Sequence, residues 1–430
     1  MSVDRRYTRG QLASEGGSGC KARFSPVAQV GEAGFLFAEA LGQETDRLPQ
    51  QNVAIIGASA AGLYAAYLLA KEGVPVQVYE AGETIGPPAR TLIVTSQIVP
   101  VLGFTPTEAI VNRIERIELF SPQATAQVSL AQPDLIIERE KLILLLAERA
   151  RQAGAEIVLG QRFLGLQGDG AGLTLQLQDR QADRLREVRA GKLLGADGVT
   201  SQVAGAVQRA GYPTVSIWQA RVVLPPGAEA HTVQVWFDRD DTRFFYWLIP
   251  ESPGYAVVGL IAENQADVSE HLRRFLAAHR LEATGYQAAQ VSTHGFNAQP
   301  WARMGGADVL LLGDAAGQVK VTTVGGVVTG LRGARAATSA LLRHGDYAAE
   351  LQGLKRELDL HLVLRRVLDR FANADYDALL RLLNRRARGI LQARTRDEMA
   401  RTFWRLALAQ PQWLVLVARA LVRPPKKSSP

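Results

Sequence analysis

Gly57-Ala58-Ser59-Ala60-Ala61-Gly62 is the stretch of this sequence whose residue types and spacing most directly suggest chemistry. In a G-x-G-x-x-G loop the first glycine makes a tight turn. The second lets a pyrophosphate approach the backbone, and the third lets a helix pack on a strand. The helix N-terminus then offers free N–H groups and the positive end of its dipole to the phosphates. Ser59 stands where the second glycine belongs, and its small side chain still leaves room for a phosphate. Glu80 follows Gly57 by 23 positions, where a carboxylate accepts hydrogen bonds from ribose hydroxyls. These residues need elements to place them. Val53-Ala-Ile-Ile56 reads as a buried strand, Leu63 to Glu72 as an alanine- and leucine-rich helix stopped by Gly73, and Val76-Gln-Val-Tyr79 as a second strand. Strand, loop, helix, strand and acid in that order make a βαβ unit for a dinucleotide. The loop alone suits NAD as well as FAD.

Two distant segments separate these ligands. Gly195-Ala-Asp197-Gly198 follows a strand-like Lys192-Leu-Leu194, and Gly313-Asp314-Ala-Ala-Gly317-Gln318 follows a buried run, Val309 to Leu312. With the first loop, these resemble in order the motifs of the flavoprotein superfamily of para-hydroxybenzoate hydroxylase and geranylgeranyl reductase, where all three serve FAD. The resemblance implies that Asp314 hydrogen-bonds the ribityl chain, that Arg139 in Ile136-Ile-Glu-Arg139 lies near the cofactor, and that Asp197 backs the flavin site. Gly313 and Arg90 are assigned to the cofactor with them. The bottom-up alternative for Arg139 and Asp197 is a helix-terminal charge or a loop cap. Thr322-Thr-Val-Gly325-Gly326 opens a further helix. Its glycines allow close approach to a flat ring, and a helix N-terminus aimed at the N1–C2=O edge of a reduced flavin favours its negative charge.

The string from Gly313 through Lys320 to Gly326 is similar to the geranylgeranyl reductase branch, which typically reads Pro and Gly where this chain has Val321 and Val324. Phe245-Tyr246-Trp247-Leu-Ile-Pro250 with Gly259 resembles the aromatic substrate-cavity motif of that branch, Ile261 replacing its second glycine. The branch often carries a cysteine near the flavin, but this chain has only Cys20. The resemblance runs from about Val53 to His344. It implies an FAD-dependent oxidoreductase that reduces carbon–carbon double bonds of an isoprenoid or lipid. Phe245, Trp247 and Gly259 would face the substrate, although aromatic residues on a strand are as often core. Two alternatives stay open: an FAD monooxygenase that hydroxylates an aromatic ring, and a flavin-binding or electron-transfer protein without turnover of its own. No general acid or base stands out. With a single dinucleotide loop, the electron donor is open between NADPH and ferredoxin.

The remaining sequence frames the site. Glu138 to Ala153 reads as a helix, and Leu173 to Gln178 alternates as a half-buried strand after an Asp169-Gly170 turn. Strand-like runs at Val215–Val223, Thr232–Phe237, Phe244–Ile249 and Tyr255–Ile261 predict an antiparallel sheet. The expected fold is α/β: a Rossmann-type FAD-binding domain (52–113, 133–210, 290–345), an inserted antiparallel β-sheet substrate domain (114–132, 211–289) and a helical C-terminal region (346–430). Residues 1–51 read as a disordered tail.

Composition narrows the partners. With 430 residues and 47% apolar content, the chain can build more than one core. One cysteine excludes a disulfide framework, and the six histidines form no metal-ligand pattern, so no metal is expected. The net charge of +7 is concentrated. From Leu351 to Pro430 there are 17 Lys and Arg against 7 Asp and Glu, a net of +10 that leaves −3 elsewhere. A basic end on a near-neutral body suits a local anionic surface such as lipid rather than nucleic acid. Trp413 to Val422 is apolar on most faces, bounded by Pro411 and Pro424-Pro425 and followed by Arg423, Lys426 and Lys427. It reads as one helix of about three turns, which either lies in a headgroup layer or packs on the protein's own core. No secretory signal or spanning run is read, so the expected location is cytoplasmic, peripheral on the inner face of a membrane.

Overall fold

The computed structural model describes residues 52–423 apart from 87–89, 210, 225–226, 253, 263–264 and 394. The expectations for the 1–51 tail and for Pro424 to Lys427 lie outside the described residues.

Val53–Ile56 is buried at every position, as a strand covered on both faces must be. It pairs in parallel with Lys192–Gly195 and with Val76–Tyr79. Ala307–Leu311 and Glu156–Val158 extend the sheet in parallel, and Trp301–Met304 closes one edge antiparallel. The helices Ala60–Lys71, Arg139–Gln152 and Val327–Leu342 pack on one face through Leu63, Leu69, Leu142, Leu146 and Leu331. A three-stranded antiparallel sheet (Gln161–Gly168, Leu173–Asp179, Arg184–Ala190) covers the other face. Leu173, Leu175 and Leu177 point in against Ile56, Leu193 and Leu311, with half-buried residues between them, as the alternation predicts. This is a three-layer Rossmann-type arrangement.

The second body is an eight-stranded sheet. Its order is Ala283–Ser292, Thr214–Val223, Tyr255–Ala262, Tyr246–Ser252, Thr232–Trp236, Ile110–Ser121, Ala124–Glu138 and Thr91–Val94. All pairings are antiparallel except that of Thr232–Trp236 with Ile110–Ser121. The Gln265–Ala278 helix covers one face, burying Val268, Leu272 and Leu276 against Tyr246, Leu248, Val258 and Leu260. Trp247, Ile249 and Ile261 point to the opposite face. There five further helices gather: Tyr347–Leu368, Asn373–Arg381, Arg385–Gln392, Met399–Ala409 and Gln412–Val422. No described helix is long and apolar enough to cross a membrane.

Candidate functional site

Four loops leave the carboxyl ends of parallel strands side by side, which is where open α/β sheets bind ligands. The first begins at Gly57, whose φ of +100° favours glycine. A Cβ there would sit 2.5 Å from the Ala196 carbonyl oxygen, and one at Gly62 would sit 2.3 Å from the Gly57 oxygen. Ser59, the departure from the glycine pattern, caps the Ala60–Lys71 helix: its Oγ accepts from the Gly62 N–H at 3.2 Å. Ala60 and Ala61 open that helix, where N–H groups have no intrahelical partner. Glu80 leaves the neighbouring strand. Its Oε2 accepts from the Ala58 N–H and its Oε1 from the Gly82 N–H, both at 2.8 Å, so the carboxylate is fixed beside the loop.

The other two loops carry Asp197 and Asp314. Both carboxylate oxygens of Asp197 are engaged within the chain, with the Ser201 hydroxyl at 2.6 Å and the Gln202 N–H at 2.7 Å. Asp197 therefore caps a short helix, Gln202–Ala206, and stiffens the turn on which Gly57 rests. Asp314 follows Gly313, which has a φ of +60°. A Cβ at Gly326 would lie 3.3 Å from Asp314 Oδ1, and one at Gly330 would lie 3.3 Å from the Gly313 Cα. Asp314 is half-buried, and burial pushes its carboxyl up to about 6 against the pull of Arg139 and Arg90. Burial lowers both guanidinium groups from their ordinary values, and both stay charged. The Arg139 N–H donates to the Arg90 carbonyl at 2.9 Å, tying the two arginines together.

Beyond Gly325 and Gly326 lies a cavity of about 700 Å³. The eight-stranded sheet lines it with Ile117, Leu119 and Trp247, the residue before the Tyr246–Ser252 strand adds Phe245, and the C-terminal helices add Leu406, Trp413 and Val417. Phe245 and Trp247 thus face the cavity, whereas Tyr246 turns to the opposite side and stacks on Phe275 with ring centroids 4.3 Å apart. Gly259 is not in the wall. A Cβ there would meet Trp247 Cζ2 at 2.5 Å, so it gives the indole its place. Ile261, where the branch reads glycine, is buried in the wall. Val324, where the branch also reads glycine, adopts a φ of +52°, which is strained for a β-branched residue.

One group in this wall was missed by sequence reading. Lys320 pairs with Asp397, which also accepts from the Thr95 hydroxyl, while Arg396 pairs with Asp134 at 2.5 Å. Lys320 stands inside the recognised string, but Asp397 lies 77 positions further on, and no spacing rule joins them.

These residues fit FAD. The glycines clear a backbone cradle that Cβ atoms would fill, and Arg90 Nε is buried without a partner beside Asp314. The Gly57–Gly62 loop and Glu80 could hold the adenosine diphosphate half, and Asp314, Arg139, Arg90, Gly325 and Gly326 could hold the flavin half. Bound FAD supplies the redox chemistry, and the protein orients and tunes it.

Comparison with known proteins agrees. A family model described as FAD binding domain matches residues 50–356. The chain is 27% identical over 379 residues to digeranylgeranylglycerophospholipid reductase 2 of Methanothermobacter thermautotrophicus, covering 77% of this chain and 91% of that one. It is also 27% identical to geranylgeranyl diphosphate reductase of a Synechocystis species, covering 66% and 73%. A crystal structure of a geranylgeranyl bacteriochlorophyll reductase-like protein from Thermoplasma acidophilum superposes with a TM-score of 0.71 at 19% identity, over 86% of this chain and 98% of that one, which shows a shared fold. With the motifs, the cradle and the family match in agreement, the chain belongs to the FAD-binding domain family and is a geranylgeranyl reductase-like FAD-dependent oxidoreductase.

Proposed function

We propose that this protein reduces carbon–carbon double bonds in the isoprenoid chain of a lipid. The carrying observation is the cavity. Its walls are mainly aliphatic and aromatic, it runs from Gly325 and Gly326 to the last helix, and its volume suits a ligand of lipid-chain class. The names of the two relatives share a geranylgeranyl chain and differ in headgroup. A catalyst that recognises the chain rather than the head needs such an apolar tunnel. In this reading Phe245 and Trp247 hold the chain, and the apolar walls with the bound chain keep water from the reacting bond.

The same reading extends to a membrane surface. The Gln412–Val422 helix uses two faces. Leu416 and Ala420 are buried, and Trp413 and Val417 line the cavity. Leu414, Val415, Leu421 and Val422 are exposed, with exposed Arg419 and Arg423 beside them and Leu408 on the preceding helix. Apolar residues flanked by Arg419 and by Arg423, which pairs with Asp375, suit the headgroup layer of an anionic bilayer, from which a chain could pass along the helix into the cavity.

The experiment is reduction of FAD-loaded protein with dithionite in the presence of a geranylgeranyl-bearing phospholipid, followed by mass spectrometry of the lipid. Gain of two hydrogens per double bond is the expected result. Bound FAD that is reduced fully while the lipid stays unchanged would refute the reading. Rapid NADPH oxidation with a hydroxylated aromatic product would replace it with the monooxygenase. For the membrane surface, Leu414→Glu with Val415→Glu should abolish co-sedimentation with anionic vesicles at low salt. Unchanged sedimentation would remove the membrane from the reading.

A further inference from the structure

We propose that the buried Lys320–Asp397 pair sets the reduction potential of the bound FAD, and that Asp397 brings the C-terminal helical region into that control. Three observations carry this. First, Lys320 borders the flavin cradle. A Cβ at Gly325 would lie 3.3 Å from Lys320 Cε and 3.6 Å from its Nζ, and the Gly325 carbonyl accepts from the Lys320 N–H. A ring laid on Gly325 and Gly326 therefore comes within a few ångströms of the ammonium. Second, the pair is screened from water, at 8% exposure for the Lys320 side chain and 3% for Asp397. Charges so placed interact strongly with a neighbour that changes charge. Third, Asp397 belongs to the segment between Arg385–Gln392 and Met399–Ala409. The Thr95 hydroxyl and the adjacent Arg396–Asp134 pair hold that segment against the cavity.

Reduction adds negative charge to a flavin. With both partners present the local field is that of a compact dipole. Removing one partner changes the local charge by one unit of known sign at a nearly buried pair, with Asp134 and Arg396 unchanged beside it. Asp397→Asn removes the carboxylate paired with the ammonium, leaving only the more distant Asp134, and favours the reduced flavin. Lys320→Met leaves the Asp397 carboxylate with only the Thr95 hydroxyl and the neighbouring Arg396, and disfavours the reduced flavin. A residue with a purely packing role has no reason to give opposite signs.

The test is the midpoint potential of full-length FAD-loaded protein, measured by equilibration with dyes of known potential. Asp397→Asn should raise the reduction equilibrium at least tenfold, which is about 30 mV upward for a two-electron couple, and Lys320→Met should lower it by at least as much. The double variant should return near the wild-type value, and Lys320→Arg, which keeps the charge, should stay there. If Lys320→Met fails to retain FAD, the upward shift in Asp397→Asn and the absence of a shift in Lys320→Arg decide. Shifts of the same sign in both single variants, or no shift in Asp397→Asn, would overturn the proposal. It depends on FAD binding and not on the lipid substrate, so failure of the prenyl-reduction experiment leaves it standing.

Discussion

Asp314→Asn should strengthen the empty protein and weaken its hold on FAD. Burial raises the Asp314 carboxyl from 3.8 to about 6 in the free protein, even with Arg139 and Arg90 near it. The native state therefore holds a proton more tightly than the unfolded chain does. Stability from this group is complete below about pH 4 and is lost as pH rises through 6, because the unfolded chain releases the proton first. At about 1.4 kcal/mol per pH unit the full difference approaches 3 kcal/mol, and allowing for water reaching a half-buried group brings it to about 2 kcal/mol. Asparagine has the same shape and never ionises, so the apoprotein variant should melt several degrees higher than wild type at pH 7.5 and show no gain at pH 4. FAD should respond in the opposite sense. A carboxylate accepting from ribityl hydroxyls forms charge-assisted bonds, and replacing it with a neutral amide oxygen costs about 1.5 kcal/mol, roughly tenfold in affinity. Wild-type affinity should also fall as pH drops below 6, and the variant should lose that dependence. Calorimetry of apoprotein at the two pH values, with flavin-fluorescence titration across pH 5–8, reads both effects. An apoprotein that gains no stability at neutral pH, or a variant that keeps wild-type FAD affinity and pH profile, would refute the reasoning.

Other positions give independent checks. Gly62→Ala forces a Cβ to 2.3 Å from the Gly57 carbonyl and must displace the phosphate loop, so FAD affinity should fall at least tenfold by fluorescence titration. Gly205→Ala, with open space around its Cβ, should leave affinity unchanged. Gly259→Ala drives a Cβ to 2.5 Å from Trp247 and should push the indole into the cavity. It should cost about 1–3 kcal/mol in urea unfolding and lower turnover of a long-chain substrate, while FAD affinity holds. Trp413→Ala opens the cavity wall from the last helix, so it should raise KM for such a substrate more than it lowers kcat.

The FAD half of the fold is legible because its information is local. A strand, a loop and a helix are fixed within about twenty residues of Val53, and each later motif follows its own buried strand. The Leu173–Asp179 strand is legible for a similar reason, since alternation states which side faces the core. Phe244 to Ile249 offers no such contrast, being apolar throughout. The covering helix Gln265–Ala278 decides that Tyr246 is core and Trp247 is wall, and it lies too far along the chain to be read from the run itself. The Lys320–Asp397 pair is hidden for the same reason in stronger form. Buried charges look like surface charges in a sequence until the partner is known.

The last helix shows why two readings of one segment need not compete. Apolar content on most faces suggests either burial in the protein or contact with lipid, and periodicity cannot choose when there is no polar face. In the structure Trp413, Leu416, Val417 and Ala420 recur at three- and four-residue spacing and turn inward, while Leu414, Val415, Leu421 and Val422 turn outward. A helix needed only for the core would carry polar residues on that outer face, because exposing four large aliphatic side chains on eleven residues adds apolar surface without adding stability. A helix needed only for a bilayer would not close a cavity with Trp413 and Val417. Under the proposed membrane reading one element would do both, and the inner cavity would lie a single helix diameter from the outer apolar face. Removing the whole helix would therefore confuse loss of the cavity wall with loss of the surface. Only outward-facing substitutions such as Leu414→Glu separate the two roles.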